Sequence, residues 1–183
     1  MALEQSIRQD PVAGTLSGEQ VILESTDAAR DLFARNRFGK AVAGGRVQLN
    51  LYEAAYLEER GKIRIADARG KTVSRERLLR AGVRTEATFR TKLAVFGDLR
   101  GRGYTVKTAL KYGADFRVYD RGAVPGEAHA RWIVYPVRES GSHTWFDLAA
   151  KNRVAHSTKK RLLVAIVDDE EDVTYLELSW TRP

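Results

Sequence analysis

The chain has 183 residues, 43% of them hydrophobic, which suits one largish core or two small ones. It contains no cysteine, and its three histidines, at 129, 143 and 156, have no metal-ligand spacing partner; disulfides, thiolate nucleophiles, cysteine-built zinc sites and an H-E-x-x-H centre are excluded. A net charge of +7 and a pI of about 9.8 favour a polyanionic partner such as nucleic acid, and the charge is not held in a tail: residues 1–91 carry 16 basic and 12 acidic side chains, residues 92–183 carry 15 and 12.

The opening MALEQSIRQDP lacks the cationic-then-apolar form of a signal peptide, and no apolar run nears the roughly 20 residues of a membrane span. A cytoplasmic protein with no membrane partner is expected. Residues 1 to about 18, with Pro11, Gly14 and Gly18, read as a loose lead into a strand over Gln20 to Leu23. Asp27 can cap a short helix containing Ala28, Ala29, Leu32 and Phe33. Turns at Phe38-Gly39-Lys40 and Gly44-Gly45 precede the alternating Val47, Leu49 and Leu51, a second strand. A helix over Tyr52 to Arg60 stops at Gly61, and a strand over Lys62 to Ala66 puts Ile63 and Ile65 on one face. Ser74 is a good N-cap for Arg75 to Arg80. This half reads as a small mixed α/β unit without a catalytic constellation.

A boundary near Gly82 to Thr85 divides the chain into expected domains 1–83 and 84–183. Phe89, Leu93, Phe96 and Leu99 recur at helical steps from Glu86 to about Arg100, with Arg90 and Lys92 on the exposed side and Gly101 and Gly103 as stops. Tyr104, Val106 and Thr108 alternate as a strand, followed by a Tyr112-Gly113 turn. Phe116 to Tyr119 reads as a half-buried strand with Phe116 and Val118 on the core face and Arg117 and Tyr119 pointing away from it. Turn residues at 120–126 lead to a strand beginning at about Ala128, with His129 at its start. A polar loop over Arg138 to Thr144, a helix from Leu148 to about Lys159 and the buried strand Leu162 to Val167 follow, so Lys160 falls at a helix-to-strand joint. The acidic turn Asp168 to Asp172 leads into a last strand, Val173 to Trp180, with Leu176, Leu178 and Trp180 sharing a face. That strand is either an ordinary core edge or one paired with another subunit. The fold class is α/β (α+β), two small mixed domains.

Element ends are where side chains can converge, so Tyr119, His129 and Lys160 can meet at one site. Taken singly each has a plainer reading: a structural tyrosine, a surface histidine, a solvated lysine. The runs YGADFRVYDRG, EAHARWIVYPV and RVAHSTKKRLLVAIVDDE, preceded by LRGRGYTVKTALKYG, change that balance. Together they resemble the catalytic domain of the archaeal tRNA-splicing (tRNA-intron) endonucleases from roughly Thr85 to the C-terminus. GRVQLNLYEAAYLEERG resembles the family's L-x-L-x-x-x-EA-x-YL segment more loosely.

The resemblance implies a restriction-endonuclease-like C-terminal domain with a central mixed sheet. It implies a catalytic set of Tyr119 as general base, His129 as general acid and Lys160 as the cation on the phosphorane, with Lys159 as the alternative lysine. RNA brings its own 2′-hydroxyl nucleophile, so no metal and no cofactor are required, and the products would be a 2′,3′-cyclic phosphate and a 5′-hydroxyl. An unperturbed phenol has a pKa near about 10, so Tyr119 needs positive charge nearby, which Arg117 and Lys160 could supply. Arg153 matches one of two side chains that hold an extruded bulge nucleotide; the second position falls near Trp180, a departure from the usual arginine, although an indole can also stack on a base. The implied partner is precursor tRNA with a bulge-helix-bulge motif, cut by a homotetramer or by a heterotetramer with a related structural subunit. Acidic residues in the 120–127 loop or the 168–172 turn could dock into a partner, or simply be solvated. His156 is expected to be a packing or phosphate-neighbour residue, and His143 a loop residue. Two competing readings are a metal-dependent nuclease, which the placements of Asp115 and Asp120 fit poorly, and a non-catalytic RNA-binding subunit.

Overall fold

The computed structural model describes residues 10–109 and 114–181, so the expected Tyr112-Gly113 turn lies outside the described residues. The chain divides into two compact units, residues 1–85 and 86–183. No helix among the described residues is long and apolar enough to cross a membrane.

The first unit contains β1 (Val12–Ser17), β2 (Gln20–Leu23), α1 (Asp27–Ala34), β3 (Lys40–Ala41), a 3₁₀ turn (Ala43–Gly45), β4 (Val47–Asn50), α2 (Leu51–Glu59), β5 (Ile63–Ala66) and α3 (Arg75–Thr85). Its sheet has the order β3-β4-β2-β1-β5, with β1 and β5 parallel and the other pairs antiparallel. The expected loose lead is therefore corrected: residues 12–17 are a strand inside the sheet. Gly14 is there because a Cβ would come within 2.8 Å of Leu23 and Val21, not because the chain turns.

Local chemistry shifts three helix ends. Thr26, rather than Asp27, caps α1, its hydroxyl accepting from the Ala29 N–H at 3.1 Å. Helix α2 begins at Leu51 behind a capping box in which the Asn50 side chain accepts from the Glu53 N–H and Glu53 accepts from the Asn50 N–H. Helix α3 continues five residues beyond Arg80, with Gly82 buried inside it.

The second unit contains α4 (Phe89–Gly101), β6 (Thr105–Thr108), β7 (Phe116–Tyr119), β8 (Trp132–Arg138), α5 (Trp145–Ser157), β9 (Arg161–Val167) and β10 (Val173–Leu178). Its sheet has the order β10-β9-β8-β7-β6, and only β8 and β9 run parallel. Two mixed sheets with packed helices match the α/β class read from the sequence.

Strand alternation divides the second sheet into two covered faces. On one, Phe116 packs on Phe96 of α4 with ring centroids 5.9 Å apart, and its register partner Val134 is fully buried. On the other, Ile133, Tyr135 and Leu162 cluster with Ala155 of α5, joined by Leu148, Val154, Val164 and Leu178. Burying each such large side chain contributes about 1.5–3 kcal/mol. Tyr119 does not point into solvent as expected: it is only 4% exposed. Lys92 likewise is not a solvated helix residue, since its ammonium is paired with Glu86 and lies 2.5 Å from Asp115.

Candidate active site

Register places the candidate residues at one end of the second sheet. β7 ends at Tyr119; the Arg131 N–H donates to the Val118 carbonyl at 2.8 Å, so β8 starts level with that end. The Arg161 N–H in turn donates to the Arg131 carbonyl at 3.0 Å, and Trp132 faces Arg161 in register. Tyr119, Arg131 and Lys160 thus come side by side on three adjacent strands. At roughly 4.8 Å per strand step, the backbones of Tyr119 and Lys160 are about 10 Å apart. Alternation also puts Arg117, Tyr119, Arg131 and Lys160 on the face covered by α5, in phase with Ile133 and Leu162.

Each candidate has a local cause for its position. The Arg117 guanidinium carbon lies 5.9 Å from the Tyr119 ring centroid, one strand repeat away, and Arg117 Nε is buried without a hydrogen-bond partner. His129 is exposed and lies in the loop, three residues before β8 starts at Trp132, rather than in the strand itself. Lys160 follows a tight end to α5: Lys159 takes a left-handed φ of 57°, its N–H donating to the His156 carbonyl, and the Lys160 N–H donates to the Ala155 carbonyl. The Lys160 ammonium donates to the Thr158 carbonyl at 2.8 Å.

The two candidate binding residues also come to this end. β10 stops at Leu178, two residues short of the expected limit, and Trp180 beyond it is 41% exposed and stacks on His156, with centroids 5.2 Å apart and planes at 29°. Arg153 is exposed on α5, three residues before His156 and so on the same helical face. His156 is therefore a stacking partner. His143 is exposed in the loop after β8, at the opposite end of the sheet.

Reading the sequence left several neighbours unremarked. Arg131 is in contact with Asp120 at 3.3 Å and lies over the Trp132 ring, 4.4 Å from its centroid. The Glu177 carboxylate accepts from the Trp132 indole N–H and from Arg161, each at 2.6 Å. The indole hydrogen bond, and then Arg161, hold the Glu177 carboxyl below the usual carboxylate range. Arg121 lies 5.0 Å from the Tyr104 ring centroid. The arginine at the start of each of two adjacent strands was the available signal, but only register reveals that both reach the same edge.

Carboxylates that could hold a metal lie elsewhere. Oxygens of Asp168, Glu170 and Asp172 come within 4.8 Å of one another in the β9–β10 turn. One Asp168 oxygen already accepts the N–H groups of Glu170 and Asp172, as a turn-forming aspartate does. At about 3.3 Å per residue, that turn is roughly 26 Å along β9 from Lys160. Asp115 is tied to Lys92 and Asp120 to Arg131, so neither joins it.

Register aligns Tyr119 and Lys160 with Arg131 at this edge, and His129 lies in the loop that leads into β8; a phenol, an imidazole and an ammonium are groups suited to proton transfer and to stabilising a phosphorane. Two family models match the chain: the tRNA intron endonuclease N-terminal domain over residues 12–79 and the tRNA intron endonuclease catalytic C-terminal domain over residues 89–175. Relatives named tRNA-splicing endonuclease include proteins from Thermococcus onnurineus, 40% identical with 95% of this chain and 99% of the relative covered, and Methanothermobacter thermautotrophicus, 41% identical with 94% and 99% covered. A third, from Nanoarchaeum equitans, is 38% identical over 80% of this chain and 97% of its own length. With both domains matched in order and this identity extending over nearly the whole length, the chain belongs to the tRNA intron endonuclease family.

Proposed function

We propose that this endonuclease cuts precursor tRNA at the exon–intron junctions of a bulge-helix-bulge motif by metal-independent transesterification. Tyr119 takes the proton of the 2′-hydroxyl, whose oxygen attacks the adjacent phosphorus. The bond from phosphorus to the 5′-oxygen breaks, and His129 gives a proton to the leaving oxygen. Lys160 stands beside the non-bridging oxygens, where negative charge builds. The products are a 2′,3′-cyclic phosphate and a 5′-hydroxyl. Residues 84–183 form the catalytic domain in this reading, and residues 1–83 the N-terminal one.

The observation that carries this reading is the shared edge: Tyr119 and Lys160 in phase on one face, with the His129 loop entering the strand between them. Arg117 supplies positive charge beside the phenol. Arg153 and Trp180 are suited to flank an extruded base, with His156 backing the indole. Two cleavage sites in one RNA require two active centres, which a homotetramer, or a heterotetramer with a related structural subunit, would provide in the cytoplasm.

The deciding experiment is cleavage of a bulged RNA in excess EDTA, with the product ends identified. Retained cutting with cyclic phosphate ends is expected. Complete loss in EDTA would overturn the mechanism. His129→Ala should lower the cutting rate by about 10² to 10⁴-fold while RNA binding persists; unimpaired cutting would place the acid elsewhere.

A further inference from the structure

Most of the chain's excess positive charge sits in one short segment of the first unit. Residues 62–84 hold eight basic side chains, Lys62, Arg64, Arg69, Lys71, Arg75, Arg77, Arg80 and Arg84, against two acidic ones, Asp67 and Glu76. That is a net +6 of the whole molecule's +7. The fold gathers half of these cations around a cleft of about 640 Å³, lined by Leu16, Lys71, Thr72, Ser74, Arg77, Arg80, Ala81 and Arg84, with no carboxylate in its wall. Arg77, Arg80 and Arg84 recur at three- and four-residue steps along α3, a cationic stripe about 10 Å long.

Charge neutralisation inside the protein does not account for this stripe. Asp67 takes Arg77 at 2.8 Å and also accepts the N–H groups of Arg69 and Lys71, so its role is to shape the turn before α3. Arg80 meets Glu76 at 3.2 Å, but both side chains are largely exposed, and such helical surface pairs exchange readily for a phosphate. Lys71 and Arg84 make no salt bridge among the described residues. Thr72 and Ser74 add hydroxyl groups to the wall.

We propose that this cleft is a second RNA-binding surface, one that grips the phosphate backbone of the substrate through Lys71, Arg80 and Arg84. The inference rests on the RNA substrate proposed above. It adds a contact in the N-terminal unit, whose sequence carries no catalytic constellation. The contacts are to phosphate and so independent of base sequence; they hold the body of a folded tRNA rather than select the cut. An anionic membrane is the poorer fit, because an interfacial helix needs a broad apolar face to insert, and of the large apolar residues of α3 Leu78 is fully buried and Leu79 half-buried, which leaves only Val83 exposed.

The test is binding of an intact, uncleavable mature tRNA by the full chain, measured by fluorescence anisotropy over a series of KCl concentrations. The charge-reversal variant K71E/R80E/R84E should weaken binding at least tenfold and reduce the slope of log affinity against log salt by about 2 to 3. A control reversal on an exposed part of the same unit, R30E/R35E/K40E, should stay within twofold. The milder K71Q/R84Q, which leaves the Arg80–Glu76 pair alone, should lose a slope of about 1 to 2 and serves if charge reversal perturbs the helix by circular dichroism. Unchanged affinity and slope in both cleft variants overturns the inference, as does an equal loss in the control. Binding to vesicles of phosphatidylcholine and phosphatidylserine in preference to tRNA overturns it too. A wild-type chain that cuts bulged RNA while the cleft variants bind tRNA normally defeats the cleft alone. A chain that grips tRNA through the cleft yet never cuts defeats the catalytic reading alone.

Discussion

The Arg161 N–H donates to the Arg131 carbonyl across 3.0 Å, and this one hydrogen bond sets the level at which β9 starts beside β8. Lys160, one residue earlier, is thereby aligned with Arg131 and, through the Arg131 N–H to Val118 carbonyl bond, with Tyr119. A one-residue slip would turn Lys160 to the other face of the sheet. The position of the ammonium is thus a property of the parallel register and of the tight end of α5, not of the lysine's own flexibility.

Lys160 and its neighbour Lys159 should therefore separate in experiment. Lys160→Ala should reduce the single-turnover cutting rate by about 10² to 10³-fold, the loss expected when one group stabilising transition-state charge is removed. Lys159 occupies left-handed backbone at φ 57°, which costs a non-glycine residue about 1 kcal/mol. Lys159→Gly should cut at close to the normal rate, and its stability in urea should be neutral to higher by up to about 1 kcal/mol. The reverse pattern would assign the cation to Lys159.

Local patterns were legible where one face of an element alone decides burial. The alternation of Ile63 and Ile65, the helical spacing of Phe89, Phe96 and Leu99 and, in the apolar run into Val167, Leu162, Leu163, Ala165 and Val167 itself correspond to buried positions. Legibility failed where packing partners arrive from distant sequence. Gly14 reads as a turn residue until Val21 and Leu23 are seen to fill the space of its missing side chain. Tyr119 reads as outward-facing because four residues cannot reveal that the face opposite Phe116 is covered as well. For the candidate site, the sequence supplied residue types and element ends. The common edge depends on parallel pairing of β8 with β9 across an intervening helix, and the roles of Arg131, Arg161 and Glu177 emerge only there.

Glu53 is the polar group on which the first unit most depends. It is 2% exposed, and its two oxygens accept the N–H of Asn50 at 3.1 Å and of Gly39 at 2.8 Å, tying the start of α2 to the turn before β3. That turn requires glycine, since φ is 67° and a Cβ would lie 2.6 Å from the Gln48 carbonyl oxygen. Glu53→Ala removes the acceptor for both N–H groups and should cost about 2–4 kcal/mol. Glu53→Gln keeps one carbonyl acceptor and should cost about half as much. Urea unfolding monitored by circular dichroism measures both; equal losses would show that packing, not the acceptor, is what matters.

Lys92 supplies a pH-dependent term in the second unit. Burial disfavours its ammonium, but hydrogen bonds to Asp115 and Glu86 outweigh that and raise its pKa above the ordinary lysine value. Asp115 is also raised, chiefly by burial, which its hydrogen bond to Lys92 only partly offsets, and further by the nearby Glu86 carboxylate. For the lysine, a folded pKa above the unfolded one means a contribution fully present below the unfolded value of 10.5 and lost as pH rises through the folded value. For the aspartate, a raised folded pKa means that keeping it ionised costs stability above the unfolded value of 3.8, a cost relieved as pH falls through the folded pKa toward that value. Lys92→Met removes the cation and leaves two partly buried carboxylates facing each other, which should cost about 2–4 kcal/mol at neutral pH. Unfolding free energies measured from pH 4 to 11 should show this variant recovering toward the wild type at the acid end, where Asp115 can protonate, and again above pH 10.5, where the wild type loses the Lys92 contribution. A difference that stays constant across that range would assign the loss to the packing of the lysine stem rather than to its charge.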